Sequence, residues 1–129
     1  MMAQKVKPAS VRSEAEVRAA LSRDLPAWNL SDGTIRRIYR THGWKGTLML
    51  VTTIGHLAEA AWHHPDLLVS YDKVEVRLST HSEKGITDKD LALAAKIEDV
   101  VMWRPGQEGG GPLDGTPSDP RYAYLKYEG

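Results

Sequence analysis

The residues that could do chemistry in this chain stand within one short stretch: Glu59, the run His63-His64-Pro65, then His81 and Asp90. The whole chain holds five histidines, so three of them beside two carboxylates is a concentration. Histidine titrates near neutrality, and a cluster can therefore keep one imidazole as an acid and another as a base at the same pH. Proton transfer is the chemistry this set fits. A metal site built from His63, His64 and His81 is the poorer use, because adjacent helical residues point about 100° apart. Asp90 has a plainer reading as the capping-box partner of Thr87, and the two roles are compatible. Tyr71 reads as a core residue. His56 shares a helical face with Glu59 and His63 but reads as part of a solvated polar stripe.

The elements that must position these groups follow from periodicity. A helix over about 46–62 carries Leu48, Val51, Ile54, Ala58 and Ala61 as its apolar stripe. Glu59 and His63 are four apart on it and are expected to share a face. Pro65 stops the helix and leaves both adjacent histidines at its C-terminal end, where the dipole favours imidazolium. Two strands follow, Leu67 to Tyr71 and Lys73 to Thr80. In the second, Val74, Val76 and Leu78 alternate with Glu75, Arg77 and Ser79, predicting one buried and one open face. His81 comes at the end of that strand. Thr87 opens a third helix with Leu91, Ala94, Ala95, Ile97 and Val101 inward. Upstream, Ser13-Glu14-Ala15-Glu16 caps a helix over about 13–24, Trp28 to Leu30 reads as a short strand, and Thr34 to Arg40 as an extended segment of imperfect alternation. The order α-β-β-α-β-β-α predicts an α+β fold, a four-stranded antiparallel sheet with three helices on one face.

The expected organisation is a flexible start over 1–12, one domain over 13–103, and a linker and tail over 104–129. Residues 106–120 hold five glycines and three prolines, the composition of a linker. Beyond it, Arg121-Tyr122-Ala123-Tyr124-Leu125-Lys126-Tyr127 reads as a strand or a docking motif. Seventeen basic residues balance seventeen acidic ones, so nothing draws the chain to nucleic acid or a membrane surface. No cysteine is present, which excludes disulfides and thiol catalysis. With no apolar leader and no spanning run, a cytoplasmic location is expected.

The spacing Glu59-x3-His63-His64-Pro65-x5-Tyr71-x9-His81-x8-Asp90 is similar, element for element, to the signature of the pterin-4a-carbinolamine dehydratases. The resemblance covers about residues 14 to 102. It implies an α+β domain that forms a homodimer or homotetramer. It also implies loss of the 4a-hydroxyl from a tetrahydropterin carbinolamine, with neither metal nor organic cofactor. By the resemblance His63, His64 and His81 would be catalytic. Glu59, Trp62, Ser79, Thr80 and Asp90 would support them or hold substrate.

Three features depart from that family. Trp62 stands where its enzymes carry a short polar residue, and a bulky indole would fill the pocket or stack on the pterin ring. Thr41-His42-Gly43-Trp44-Lys45-Gly46 replaces a phenylalanine-rich wall. The third departure is the tail, and Trp103-Arg104-Pro105 with the tyrosine-rich end resembles a branch of the fold that accompanies Rubisco in α-carboxysome gene clusters. Two functions are therefore expected. One is a Rubisco assembly factor with weak or no dehydratase activity, carboxysome-associated and using Tyr122, Tyr124 and Tyr127 as partner-binding residues. The alternative is an active dehydratase that carries a tail. A role as dimerisation partner of a transcription factor has no support in these residues.

Overall fold

The computed structural model describes residues 6–107 and 109–127. Ser13 starts the first helix, α1 (Glu14–Asp24), with the full reciprocal capping box to Glu16, and Val17 and Leu21 are its buried positions. The chain then runs through β1 (Asn29–Ser31), β2 (Thr34–Thr41), α2 (Trp44–Ala61), β3 (Asp66–Ser70), β4 (Lys73–Leu78) and α3 (Asp88–Val101). All strand pairs are antiparallel, in the order β1-β2-β4-β3. Val74, Val76 and Leu78 are wholly buried, as their alternation predicts. They pack with Ile35, Ile54 and Ile97 into one core between sheet and helices.

The helical faces differ from the predicted stripes. In α2 the buried set is Gly46, Thr47, Leu50, Ile54 and Ala58, while Leu48 and Ala61 face outward. In α3 it is Asp90, Leu93, Ala94, Ile97 and Val101, with Ala95 exposed and Leu91 half-buried. Both helices carry apolar residues on more than one side, so spacing alone left the facing side open.

The last element, β5 (Leu125–Lys126), adds a fifth strand, pairing with the end of β2 at Arg40 and Thr41. The tyrosine-rich end therefore folds back onto its own sheet. Leu125 is 5% exposed, and Tyr124 and Tyr127 pack against the core. The returning segment passes closely over the first turn of α2. A Cβ on Gly46 would lie 2.6 Å from the Tyr124 carbonyl oxygen, and backbone cannot step aside as a side-chain tip can. Gly46→Ala is expected to cost about 1–3 kcal/mol in the full chain, measured by urea unfolding. In a chain ending at residue 105 the same change should stabilise by up to about 1 kcal/mol, since alanine is the better helix former. The same sign in both backgrounds would show that the tail does not press on α2.

A part-buried polar knot ties α3 to the sheet. Arg37 points inward between Ile35 and Tyr39, and its guanidinium meets Glu98 through Nε at 3.0 Å and Nη2 at 3.3 Å. The Tyr39 hydroxyl and the Trp28 indole N–H donate to the same carboxylate at 2.7 and 3.0 Å. Burial alone pushes the Glu98 carboxyl up, but the Arg37, Tyr39 and Trp28 contacts together hold it below its ordinary range. Burial, with Glu98 beside it, pushes the Tyr39 hydroxyl far up, so it stays a donor.

Candidate functional site

The site begins where α2 ends. Trp62 takes a left-handed conformation (φ 53°, ψ 49°), and the His63 N–H reaches back to the Ala58 carbonyl at 3.1 Å. This reversal takes both adjacent histidines off the helix and sends them in different directions. The expected pairing of Glu59 with His63 on one helical face therefore does not form. Instead His64 Nε2 lies 2.6 Å from Glu59 Oε1 in an exposed pair. His63 turns inward, its Nε2 2.6 Å from Asp90 Oδ1.

Asp90 is buried completely and uses both oxygens. Oδ2 accepts from the Thr87 N–H at 2.9 Å, closing the capping box of α3, and from the Thr80 hydroxyl at 2.7 Å. The Thr80 and Thr87 hydroxyls are 2.7 Å apart. Because the Thr80 proton goes to Asp90, Thr87 must donate to Thr80. The capping and pocket roles of Asp90 thus coexist, one on each oxygen. The carboxylate orients His63 with Nε2 as the donor, leaving Nδ1 of the neutral ring as an acceptor. That tautomer suits a general base, and the protonated ring a general acid.

His63 lines an open groove of about 910 Å³ between α2 and α3, with Leu57, Ala61, Trp62, Lys89 and Leu93. His64 and His81 are not among its lining residues. Trp62 is 63% exposed, its ring edge-on to His64 with centroids 5.0 Å apart. It stands at the groove's rim and does not fill it. His81 is exposed and opens a short 3-10 turn (His81–Glu83) directly after Thr80. Ser79 is half-buried, on the other side of the strand from Leu78 and Thr80. Tyr71, expected in the core, is 68% exposed and covers Gly43 with its ring. Gly43 fills the turn before α2 in the replaced wall, where the ring has taken space a side chain would need. His56 is exposed. Among the described residues no three His, Asp or Glu side chains converge to hold a metal ion.

Thr80, which the resemblance places among the supporting residues, and Thr87, expected to open α3, complete the site. Thr80 falls in phase with the buried residues of β4, where a hydroxyl needs a partner. The partner is an aspartate ten residues on, and no periodicity shows it.

A profile of the family described as Pterin 4 alpha carbinolamine dehydratase matches residues 10–100. The chain belongs to the pterin-4a-carbinolamine dehydratase family. A provisionally named pterin-4-alpha-carbinolamine dehydratase of Aquifex aeolicus is 45% identical over 89 residues, 69% of this chain and 89% of that one. A relative of the same name in Chloroflexus aurantiacus is 40% identical, over 69% of this chain and 95% of its own. The crystal structure of a transcriptional coactivator/pterin dehydratase from Brucella melitensis matches with a TM-score of 0.65 at 30% identity. That match covers 70% of this chain and 98% of the Brucella chain. Glu59, Trp62, His63, His64, Thr80, His81 and Asp90 all fall inside the family's span, and the segment that ends in β5 falls outside it.

Proposed function

We propose that this member of the dehydratase family acts mainly as a Rubisco assembly factor of the α-carboxysome, with weak or no dehydratase turnover. The observation that carries the reading is the folded segment after residue 103. It lies beyond the family's span, yet it is built onto the sheet by β5 and shapes a groove of about 590 Å³ with His42, Trp103 and Arg104. Trp103 and Tyr122 are 57% and 51% exposed. Arg104 stacks over Tyr127 at 4.2 Å and Arg121 over Tyr122 at 5.1 Å. Aromatic and arginine side chains on a fixed scaffold are what protein partners grip. Removing water from a small substrate requires none of this. Tyr122 is the exposed tyrosine of the three and the natural anchor, while Tyr124 and Tyr127 hold the segment in place. Leu48 and Met49, exposed on α2, support self-association into a dimer or tetramer.

A second reading, an active dehydratase, is favoured by the Asp90-oriented His63 and by a groove that Trp62 leaves open. In that reaction an acid protonates the 4a-hydroxyl, which leaves as water. A base takes the proton from the ring nitrogen as its C=N bond forms. His63, His64 and His81 would share these tasks.

Two measurements on one pair of proteins separate the readings. Co-expression of Rubisco subunits with the full chain should raise the yield of assembled enzyme several-fold, and a chain ending at residue 105 should lose that gain. Carbinolamine dehydration should stay near the uncatalysed rate with either. Fast turnover that His63→Ala lowers by about 10²–10⁴, with no effect on Rubisco yield, would install the dehydratase reading instead.

A further inference from the structure

The sheet face turned away from the helices carries a line of positive charge that no described residue balances. Arg40 on β2 is the direct cross-strand partner of Lys73 on β4 and of Lys126 on β5. Directly opposed residues in antiparallel strands project from one face with Cβ atoms about 5 Å apart. Tyr39 and Thr41, the neighbours of Arg40, are buried, so this row points to solvent. Like charges placed opposite each other are destabilising.

Two further pairs on this face are already formed. Glu75 takes the Arg77 guanidinium, and Arg36 lies 3.7 Å from Asp32. Among the described residues no carboxylate lies within ion-pair distance of Arg40, Lys73 or Lys126. The adjacent rung is Ile38 and Leu68 on either side of Glu75, and Leu68 is exposed. A cationic row thus runs beside a rung in which Ile38 and Leu68 flank the Arg77-paired Glu75. Lys126 comes from the tail, so the row is complete only when β5 is docked.

We infer that this end of the sheet is a docking surface for an extended acidic segment of a partner protein, its carboxylates on Lys126, Arg40 and Lys73 and its apolar side chains on Ile38 and Leu68. A strand-like segment has the alternation that two neighbouring rungs require. A nucleic-acid backbone fits less well, because Glu75 and Asp66 share the face and the chain has a net charge of +0. Neither dehydration nor an assembly role enters this inference.

The test is fluorescence anisotropy with the full chain and a short fluorescein-labelled peptide of alternating Glu and Leu. The same peptide with Lys for Glu and a labelled DNA duplex serve as comparisons. The Glu peptide should bind at least about tenfold tighter than the Lys peptide and weaken as salt rises. Arg40→Glu should weaken it about tenfold and Lys126→Ser several-fold. Arg40→Thr should weaken binding while raising Tm by about 2 °C, because it relieves repulsion at an exposed strand position. Lys126→Ser, at the short edge strand, serves should Arg40→Glu fail to fold. Equal binding of both peptides, tighter binding of DNA, unchanged affinity in the variants, or a lower Tm for Arg40→Thr would each overturn the inference.

Discussion

Asp90→Ala should lower stability by about 3–5 kcal/mol, the largest single-residue effect expected outside the apolar core. The wild-type carboxylate is fully buried and satisfies the Thr87 N–H, the Thr80 hydroxyl and His63 Nε2 at once. Removing it orphans three donors, and a buried donor without a partner costs about 1–3 kcal/mol. Losing the reciprocal cap of α3 is part of that sum. Asp90→Asn should be milder, because an oxygen in the Oδ2 place still accepts from both Thr87 and Thr80, and the amide replaces only the oxygen facing His63. Its amide then presents N–H to a neighbour that also donates, and His63 loses its fixed tautomer. Urea unfolding of both variants gives the comparison. A cost below about 1 kcal/mol for Asp90→Ala would mean that water replaces the carboxylate at no penalty and that His63 is held by other contacts.

Glu98→Ala should cost about 3 kcal/mol, since it strips the partner from Arg37, a guanidinium only about a tenth exposed. Tyr39 and Trp28 lose their acceptor in the same change. The pH dependence follows from sign. The folded-state carboxyl of Glu98 lies below its ordinary value of 4.5. Its contribution is therefore fully present above that value and fades as pH falls through the lower, folded-state one. Wild-type stability measured from pH 6 downward should drop more steeply than that of Glu98→Gln, with the two curves parallel at neutral pH. Parallel curves throughout would show that Arg37 does not hold Glu98 charged.

Those two carboxylates also mark what could be read from the chain alone. The strict alternation of β4 and the caps of α1 and α3 are local signals, and the structure follows them. Asp90 was legible as a cap because Thr87 lies three residues away; its hold on His63 was not, since that contact spans 27 residues. Glu98 has no local signal of its own, and Arg37 in phase with Ile35 and Tyr39 is the clue to it. A charged residue at an inward strand position calls for an opposite charge elsewhere in the core. The pairing of His64 with Glu59 turned on one backbone reversal at Trp62, and tryptophan gives no warning of a conformation that glycine or asparagine normally adopts. The facing side of α2 is not legible in the spacing for a related reason. Gly46 and Thr47 lie inward because the tail and the Tyr71 carbonyl occupy the space beside them, and neither is a neighbour in sequence.

The close passage of Gly46 against the Tyr124 carbonyl has a consequence for inheritance. The terminal strand is not a portable appendage. Splicing residues 104–127 onto a shorter member of the family would succeed only where the recipient's second helix already begins with a residue lacking a Cβ at that place. Conversely, a lineage that lost the tail would be released from the glycine and free to drift toward better helix formers. The two features should therefore appear and vanish together among relatives, and a glycine at this helical position would foretell a docked C-terminal strand before any coordinates are known.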